Sequence, residues 1–282
     1  MRLNGVVAVV TGAGRGIGRA IAREQAREGA NVALLARSAD ELATVSAEIT
    51  GNGGVARSYR VDLLDLPSVD AAFAAIARDL GPIELLTNNA GAFGAIGPIW
   101  EVDPAVWWND VETSLRGSFN TCRAVLPGMI ARGQGRIINL AGGGTATSFP
   151  HGSGYGTGKA GLLRLTECIS DTLAGTGVSI FAMDPGLVRT AMTEYQLNSD
   201  EGRTWLSNVA QLFEARIDVP PTLAARLSIE IAAGRFDRMA GRMLMAARGD
   251  LDLTSADVDR IVRDDLRSLR VNGMPAERPR DT

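Results

Sequence analysis

Short β-branched runs alternate with longer segments of helical periodicity along most of the chain, and this alternation limits what it can fold into. The runs fall at 6–11, 31–36, 55–62, 83–88, 136–140, 178–183 and 242–245. Each is followed by enough residues for a crossover helix. Strands connected that way pair in parallel, and a parallel sheet needs helices over both faces. Seven such strands predict a single doubly wound α/β sheet. The segment 17–28 has the expected crossover pattern, with Ile17, Ile21 and Ala22 on one face and its arginines and glutamates on another. Asp103 and Pro104 read as an N-cap followed by proline in the first helical turn, opening a long helix to about residue 130. Val219, Pro220 and Pro221 restart a helix after an irregular stretch.

Two regions break the alternation. Residues 187–218 hold no strand pattern but carry Met192, Tyr195, Leu197, Trp205, Leu212 and Phe213, which predicts a mobile helical flap with an apolar underside. Residues 248–282 form a C-terminal extension in which 255–269 reads as a charged helix and the last eight or so residues as a disordered tail. No repeat or low-complexity linker divides the rest, so 1–247 is read as one domain that includes the flap.

Composition excludes several function classes. The 282 residues carry 29 Lys and Arg against 32 Asp and Glu, a formal net charge of −3, without the cationic surplus that phosphate neutralisation requires. No nucleic-acid partner is expected. The apolar runs are strand-sized, far below the roughly 20 residues of a membrane span, and the start of the chain lacks the apolar region of an export signal. The reading is a cytoplasmic protein with no membrane partner. Cys122 and Cys168 are too few for a disulfide framework or a four-ligand zinc site, so no metal is expected, and both read as core or interface residues. The 33 glycines are the one excess, and their positions carry the functional argument.

Between the first strand and the first helix stands Thr11-Gly12-Ala13-Gly14-Arg15-Gly16-Ile17-Gly18. Glycines there permit a tight turn and let backbone N–H groups approach a pyrophosphate at a helix N-terminus. The spacing is T-G-x-x-x-G-x-G rather than G-x-G-x-x-G. Further along come Asn88-Asn89-Ala90-Gly91 after the fourth strand, Tyr155-Gly156-Thr157-Gly158-Lys159, and Asp184-Pro185-Gly186-Leu187-Val188-Arg189-Thr190 after the sixth. Four motifs in this order resemble the short-chain dehydrogenase/reductase family in its classical form, over roughly residues 1–247. The resemblance implies a Rossmann-like fold and a nicotinamide dinucleotide. It places Gly12, Gly16, Ile17 and Gly18 at the pyrophosphate, Asp62 and Leu63 at the adenine, and Asn89, Ala90 and Gly91 along the cleft. Pro185, Gly186, Val188 and Thr190 fall at the nicotinamide.

The end of the second strand selects between cofactors. A carboxylate there would accept from a ribose diol, and cations would pair with a 2′-phosphate. The sequence offers Ala36 and then Arg37, with Arg15 as a second cation in the glycine turn. NADP(H) is therefore favoured, with NAD(H) the alternative.

Interconverting a ketone and a secondary alcohol by hydride transfer needs a group that exchanges a proton with the substrate oxygen. Tyr155 is suited to this if nearby positive charge lowers its pKa, and Lys159, one helical turn on, can supply that charge. The family resemblance gives these two residues those roles and has the lysine also bind the nicotinamide ribose. Two members of the family's tetrad are absent. Gly142, thirteen residues before Tyr155, stands where the resemblance puts a catalytic serine, and Ser114 stands for the asparagine that supports the lysine through a water. Thr145, Ser148 and Ser153 are conceivable replacement hydroxyls, but each taken separately reads better as a loop hydrogen-bonder. His151, the single histidine, reads as incidental.

The expectation is an NADP(H)-dependent oxidoreductase acting on a small apolar ketone or alcohol under the flap. The alternative is a dinucleotide-binding sensor or scaffold with a decayed site. The resemblance also implies a homotetramer or homodimer built on the helices around 104–130 and 153–174.

Overall fold

The computed structural model describes residues 1–271. Seven parallel strands form one sheet in the order β3-β2-β1-β4-β5-β6-β7. The chain runs β1 (Val7–Thr11), α1 (Gly16–Arg27), β2 (Asn31–Ala36), α2 (Ala39–Gly51), β3 (Val55–Arg60), α3 (Leu66–Leu80), β4 (Ile83–Asn88), α4 (Pro104–Arg132), β5 (Gly135–Leu140), α5 (Ser153–Thr172) and β6 (Val178–Asp184). It continues through α6 (Ala191–Asn198), α7 (Asp200–Trp205), α8 (Ser207–Glu214), α9 (Pro221–Ala232), β7 (Met243–Met245) and α10 (Ser255–Arg263). The doubly wound Rossmann-like sheet expected from the alternation is the one that forms. β3 ends two residues early, at Arg60 rather than 62.

Period-two patterning divides the strands between two cores. Ala8 and Val10, with Val32 and Leu34, turn to the layer of α1, α2, α9 and α10. Val7 and Val9, with Ala33 and Leu35, turn to the layer of α3 and α4. β3 is an edge strand whose Arg57, Ser58 and Arg60 discourage further pairing. α4 opens as its sequence dictates, with the Asp103 carboxylate accepting from Ala105 N at 2.7 Å and Val106 N at 3.1 Å.

The C-terminal helix is shorter than 255–269, stopping at Arg263. Asp265 and Arg267 take left-handed φ angles of 48° and 65°, which no α-helix can propagate. The chain then runs beside the other sheet edge, where Met243 N donates to Arg267 O at 2.9 Å. Arg267 pairs with fully buried Asp250, and Leu269 N donates to Glu167 Oε1 at 2.7 Å while its side chain joins Ala141, Leu163 and Met243. The predicted disordered tail lies outside the described residues.

Residues 187–218 form α6, α7 and α8, without a strand. Met192, Leu197, Trp205 and Phe213 do form an apolar underside, joined by Leu206 and Val209 and packed on Phe93 and Ile96. Tyr195 and Leu212, expected on that underside, are instead exposed.

Candidate active site

The sheet order reverses between β1 and β4, and the connections there diverge to leave a crevice beyond the strands' C-terminal ends. A cleft of about 730 Å³ occupies that position. It is lined by the turn after β1, with Thr190 beside Gly16, by Asn89, Ala90 and Gly91, and by Tyr155, Lys159 and Pro185.

The turn after β1 is shaped to bring backbone close to a ligand. Gly12 and Gly16 adopt φ of 62° and 56°, conformations that side chains disfavour. Gly18 lies under the turn, where an added Cβ would fall 2.3 Å from Gly12 O. Asn89 ties the turn to β4, its Nδ2 donating to Thr11 O at 2.9 Å and Gly12 O at 3.2 Å. The Thr11 hydroxyl accepts from the backbone N–H groups of Asn89 and Ala90. α1 begins at Gly16 with no side chain capping its first N–H groups. A helix N-terminus presented to a cleft in this way suits an anionic pyrophosphate.

Ala36, Arg37, Asp62 and Leu63 also face the cleft. The Asp62 carboxylate also accepts from Leu64 N at 3.0 Å, fixing its own loop. Arg15 is not a free cation, because Glu41 pairs with it at 3.4 Å. Glu41 also lines the cleft, and no local sequence signal marks it. The Arg37 side chain is exposed and has no ion-pair partner among the described residues. Gly18, Gly186 and Val188 do not line the cleft. Gly18 is buried beneath the turn, Val188 is buried in the flap's root, and Gly186 makes a left-handed turn whose N–H donates to Asp184 Oδ1 at 2.9 Å. All three support the lining residues from behind.

α5 carries Tyr155 and Lys159 and lies unusually close to α4. Added Cβ atoms at Gly154 and Gly158 would fall 2.9 Å from Trp107 O and 3.2 Å from Val111 Cα. The backbones therefore meet directly, and Tyr155 and Lys159 are set against the cleft. Lys159 is buried; its Nζ donates to Leu140 O at 2.7 Å and sits 5.5 Å from the centre of the Tyr155 ring. Burial lowers its pKa to about 8, with Asp184 opposing. The Tyr155 ring stacks on Phe93, with centres 4.7 Å apart and planes 9° from parallel. Burial, then Asp184, then Asp110 push the Tyr155 hydroxyl above the usual phenol range. In the protein alone the phenol is thus raised, against the lowering expected from Lys159.

Gly142 faces this hydroxyl. A Cβ added there would lie 2.6 Å from Tyr155 Oη, so the phenol fills the space a side chain at 142 would need. Thr145 is committed to the loop, its hydroxyl donating to Gly142 O at 2.7 Å and accepting from Gly142 N at 3.1 Å. Ser153 Oγ accepts from Trp107 Nε1 at 3.0 Å, and Ser148 is exposed. Ser114 differs from these. Its Oγ is buried with no hydrogen-bond partner among the described residues, and a Cβ on Gly91 would be 3.5 Å from both that oxygen and Lys159 Nζ. Two polar groups thus border one small space, as a bridging water requires. Gly142→Ser is expected to lower turnover at least tenfold rather than restore a tetrad, because the new Cβ displaces Tyr155; steady-state kinetics beside Thr145→Ser as control would measure it.

His151 contributes its backbone, accepting from Gly97 N at 2.9 Å, while its ring lies 4.7 Å from that of Trp205. Cys122 is buried and Cys168 exposed on α5. Among the described residues no helix is long and apolar enough to cross a membrane, and no cluster could hold a metal ion.

Sheet order, crevice and glycine turn together define a fold of the dinucleotide-binding kind. A family model described as short chain dehydrogenase matches residues 6–201, and the chain belongs to the short-chain dehydrogenase/reductase family. It is 36% identical over 200 residues to the 2-(R)-hydroxypropyl-CoM dehydrogenase of Xanthobacter autotrophicus, covering 70% of this chain and 80% of that protein. It is 32% identical over 244 residues to the oxidoreductase UcpA of Salmonella typhimurium, covering 85% and 92%. Among solved structures, a single-substitution variant of the actinorhodin polyketide ketoreductase with NADPH superposes with a TM-score of 0.80 at 31% identity, covering 90% of this chain and 99% of that one.

Proposed function

We propose that this enzyme is an NADP(H)-dependent oxidoreductase that interconverts a ketone and a secondary alcohol on a small apolar substrate. One observation carries the reading: Tyr155 and Lys159 line the cleft together, the tyrosine packed against the apolar underside of the flap. The left-handed glycines, the uncapped start of α1 and Asn89 fit a dinucleotide, which when bound would supply or accept the hydride. Lys159 would hold the nicotinamide ribose, with Asn89–Gly91 and the segment from Pro185 to Thr190 along the nicotinamide. Tyr155 Oη would exchange the proton with the substrate oxygen. Burial keeps the phenol protonated in the protein alone, so the proton that ketone reduction consumes is in place, and the positive charge of Lys159 would ease its release. The tetrad is a departed one, with Gly142 lacking a hydroxyl and Ser114 retaining one. The flap's apolar side chains would exclude water and favour an apolar ketone over an acidic metabolite.

Arg37, exposed beside Ala36 with no ion-pair partner among the described residues, supports the 2′-phosphorylated cofactor, as does the NADPH held by the ketoreductase relative. Titration with NADPH and NADH should give a preference for NADPH. Arg37→Ser should reduce that preference about tenfold, the loss of one charge-assisted contact, and an unchanged ratio would count against the assignment. A dinucleotide sensor is the second reading, favoured by the absence of a hydroxyl at Gly142. Tight NADPH binding without turnover of any apolar ketone would support it instead.

A further inference from the structure

Asp110 lies on α4, one turn before Ser114, and is fully buried. A buried carboxylate is costly unless its oxygens are satisfied. Here they are satisfied by one short stretch of backbone. Gly94 N donates to both Asp110 oxygens at 2.9 Å, and Ala95 N donates to Oδ2 at 2.9 Å. That stretch follows directly on Phe93, whose ring lies flat against Tyr155. Gly94 has little room to move, since a Cβ there would be 2.9 Å from Val106 Cγ1. The carboxylate, two peptide units and two rings therefore form a continuous chain from α4 to the phenol.

We infer that Asp110 is a positioning residue for Tyr155: its carboxylate anchors the backbone at 94–95, and through the Phe93 ring this anchor fixes where the tyrosine ring stands. The inference rests on the reading of Tyr155 as the acid–base group. Tyr155 lacks the usual fixing contact, because its hydroxyl makes no hydrogen bond among the described residues and position 142 offers no hydroxyl. Stacking on an anchored ring supplies that constraint instead. Aromatic pairs in such geometry are worth more than their area burial alone. Asp110 also contributes charge. The charged groups that raise the phenol are Asp184 from the end of β6 and then Asp110 from α4, while Lys159 Nζ of α5 itself lies 5.5 Å from the ring centre. The two carboxylates favour the protonated phenol.

The chain has three tyrosines, so ring-labelled tyrosine NMR of the full protein without ligand gives few signals, and Tyr155→Phe identifies the one from Tyr155. Asp110→Asn and Phe93→Leu should each move the Tyr155 ring-proton shifts away from their stacked positions. Asp110→Asn should also bring the start of phenol ionisation, read at Cζ, to lower pH. Kinetically, Asp110→Asn should lower kcat about tenfold with KM for NADPH unchanged. Ring-proton and Cζ shifts of Tyr155 identical to wild type in Asp110→Asn would overturn the inference. Should Asp110→Asn fail to fold, Phe93→Leu with unmoved Tyr155 signals would overturn it equally. Retained ketone reduction in Tyr155→Phe would instead remove the acid–base reading while leaving the NMR result standing.

Discussion

Tyr155→Phe is expected to reduce ketone turnover by about 10²–10⁴-fold while leaving NADPH affinity within about threefold of wild type. The separation follows from what the hydroxyl does and does not touch. Tyr155 Oη has no hydrogen-bond partner among the described residues, so its removal orphans nothing in the protein. The phenyl ring that remains can keep its stack on Phe93 and its place in the apolar cluster under the flap. What disappears is the hydroxyl that the proposed mechanism uses as proton donor. Cofactor oxidation followed by absorbance, with nucleotide binding followed separately by fluorescence, distinguishes the two. Turnover within about fivefold of wild type would exclude Tyr155 as the acid–base group.

Gly18→Ala should cause the largest loss on the binding side. The added Cβ would lie 2.3 Å from Gly12 O and 2.4 Å from Asn89 Nδ2, and a methyl group has no rotamer that relieves such contacts. Either the turn after β1 lifts or Asn89 gives up its bonds to Thr11 and Gly12, and both responses deform the surface on which a pyrophosphate would rest. Overpacking of this kind costs about 1–3 kcal/mol, read as a fall of several degrees in Tm. NADPH binding should weaken about a hundredfold or more, since the backbone donors lose their alignment. Gly51→Ala serves as control, because nothing lies within 4 Å of a Cβ there and φ is ordinary. Calorimetry and nucleotide titration of the two variants would show a large difference, and equal behaviour would contradict the turn's assigned role.

The sheet is legible in the sequence because β-branched runs, period-two alternation and crossover spacing all point the same way. The glycine turn, Asn89, Tyr155 and Lys159 are legible because each belongs to a short contiguous motif. Asp110 is not, because its partners Gly94 and Ala95 lie in another segment and nothing local distinguishes it from any helix carboxylate. Glu41 escapes for a similar reason, since its effect is to neutralise Arg15 across a turn. Gly142 stands out as a departure, but its meaning needs three dimensions. Only there does the phenol come close enough to occupy the space a side chain would need. The helix at 255–269 reads too long because charge periodicity persists past Arg263, where two residues turn left-handed.

The glycine seam between α4 and α5 bears on how this enzyme can diversify. At Gly154 and Gly158 the inner face of α5 meets the backbone at Trp107 and Val111, and at Gly161 it meets the Leu115 side chain. A methyl group added at Gly154 or Gly158 would meet the backbone of α4 and press the two helices apart beside Tyr155, Lys159, Asp110 and Ser114. The opposite face, with Thr157 and Cys168 exposed, bears no such restriction within the described residues. One helix thus has a side where almost every change is heard at the reacting atoms and a side where new surface can be tried without disturbing them.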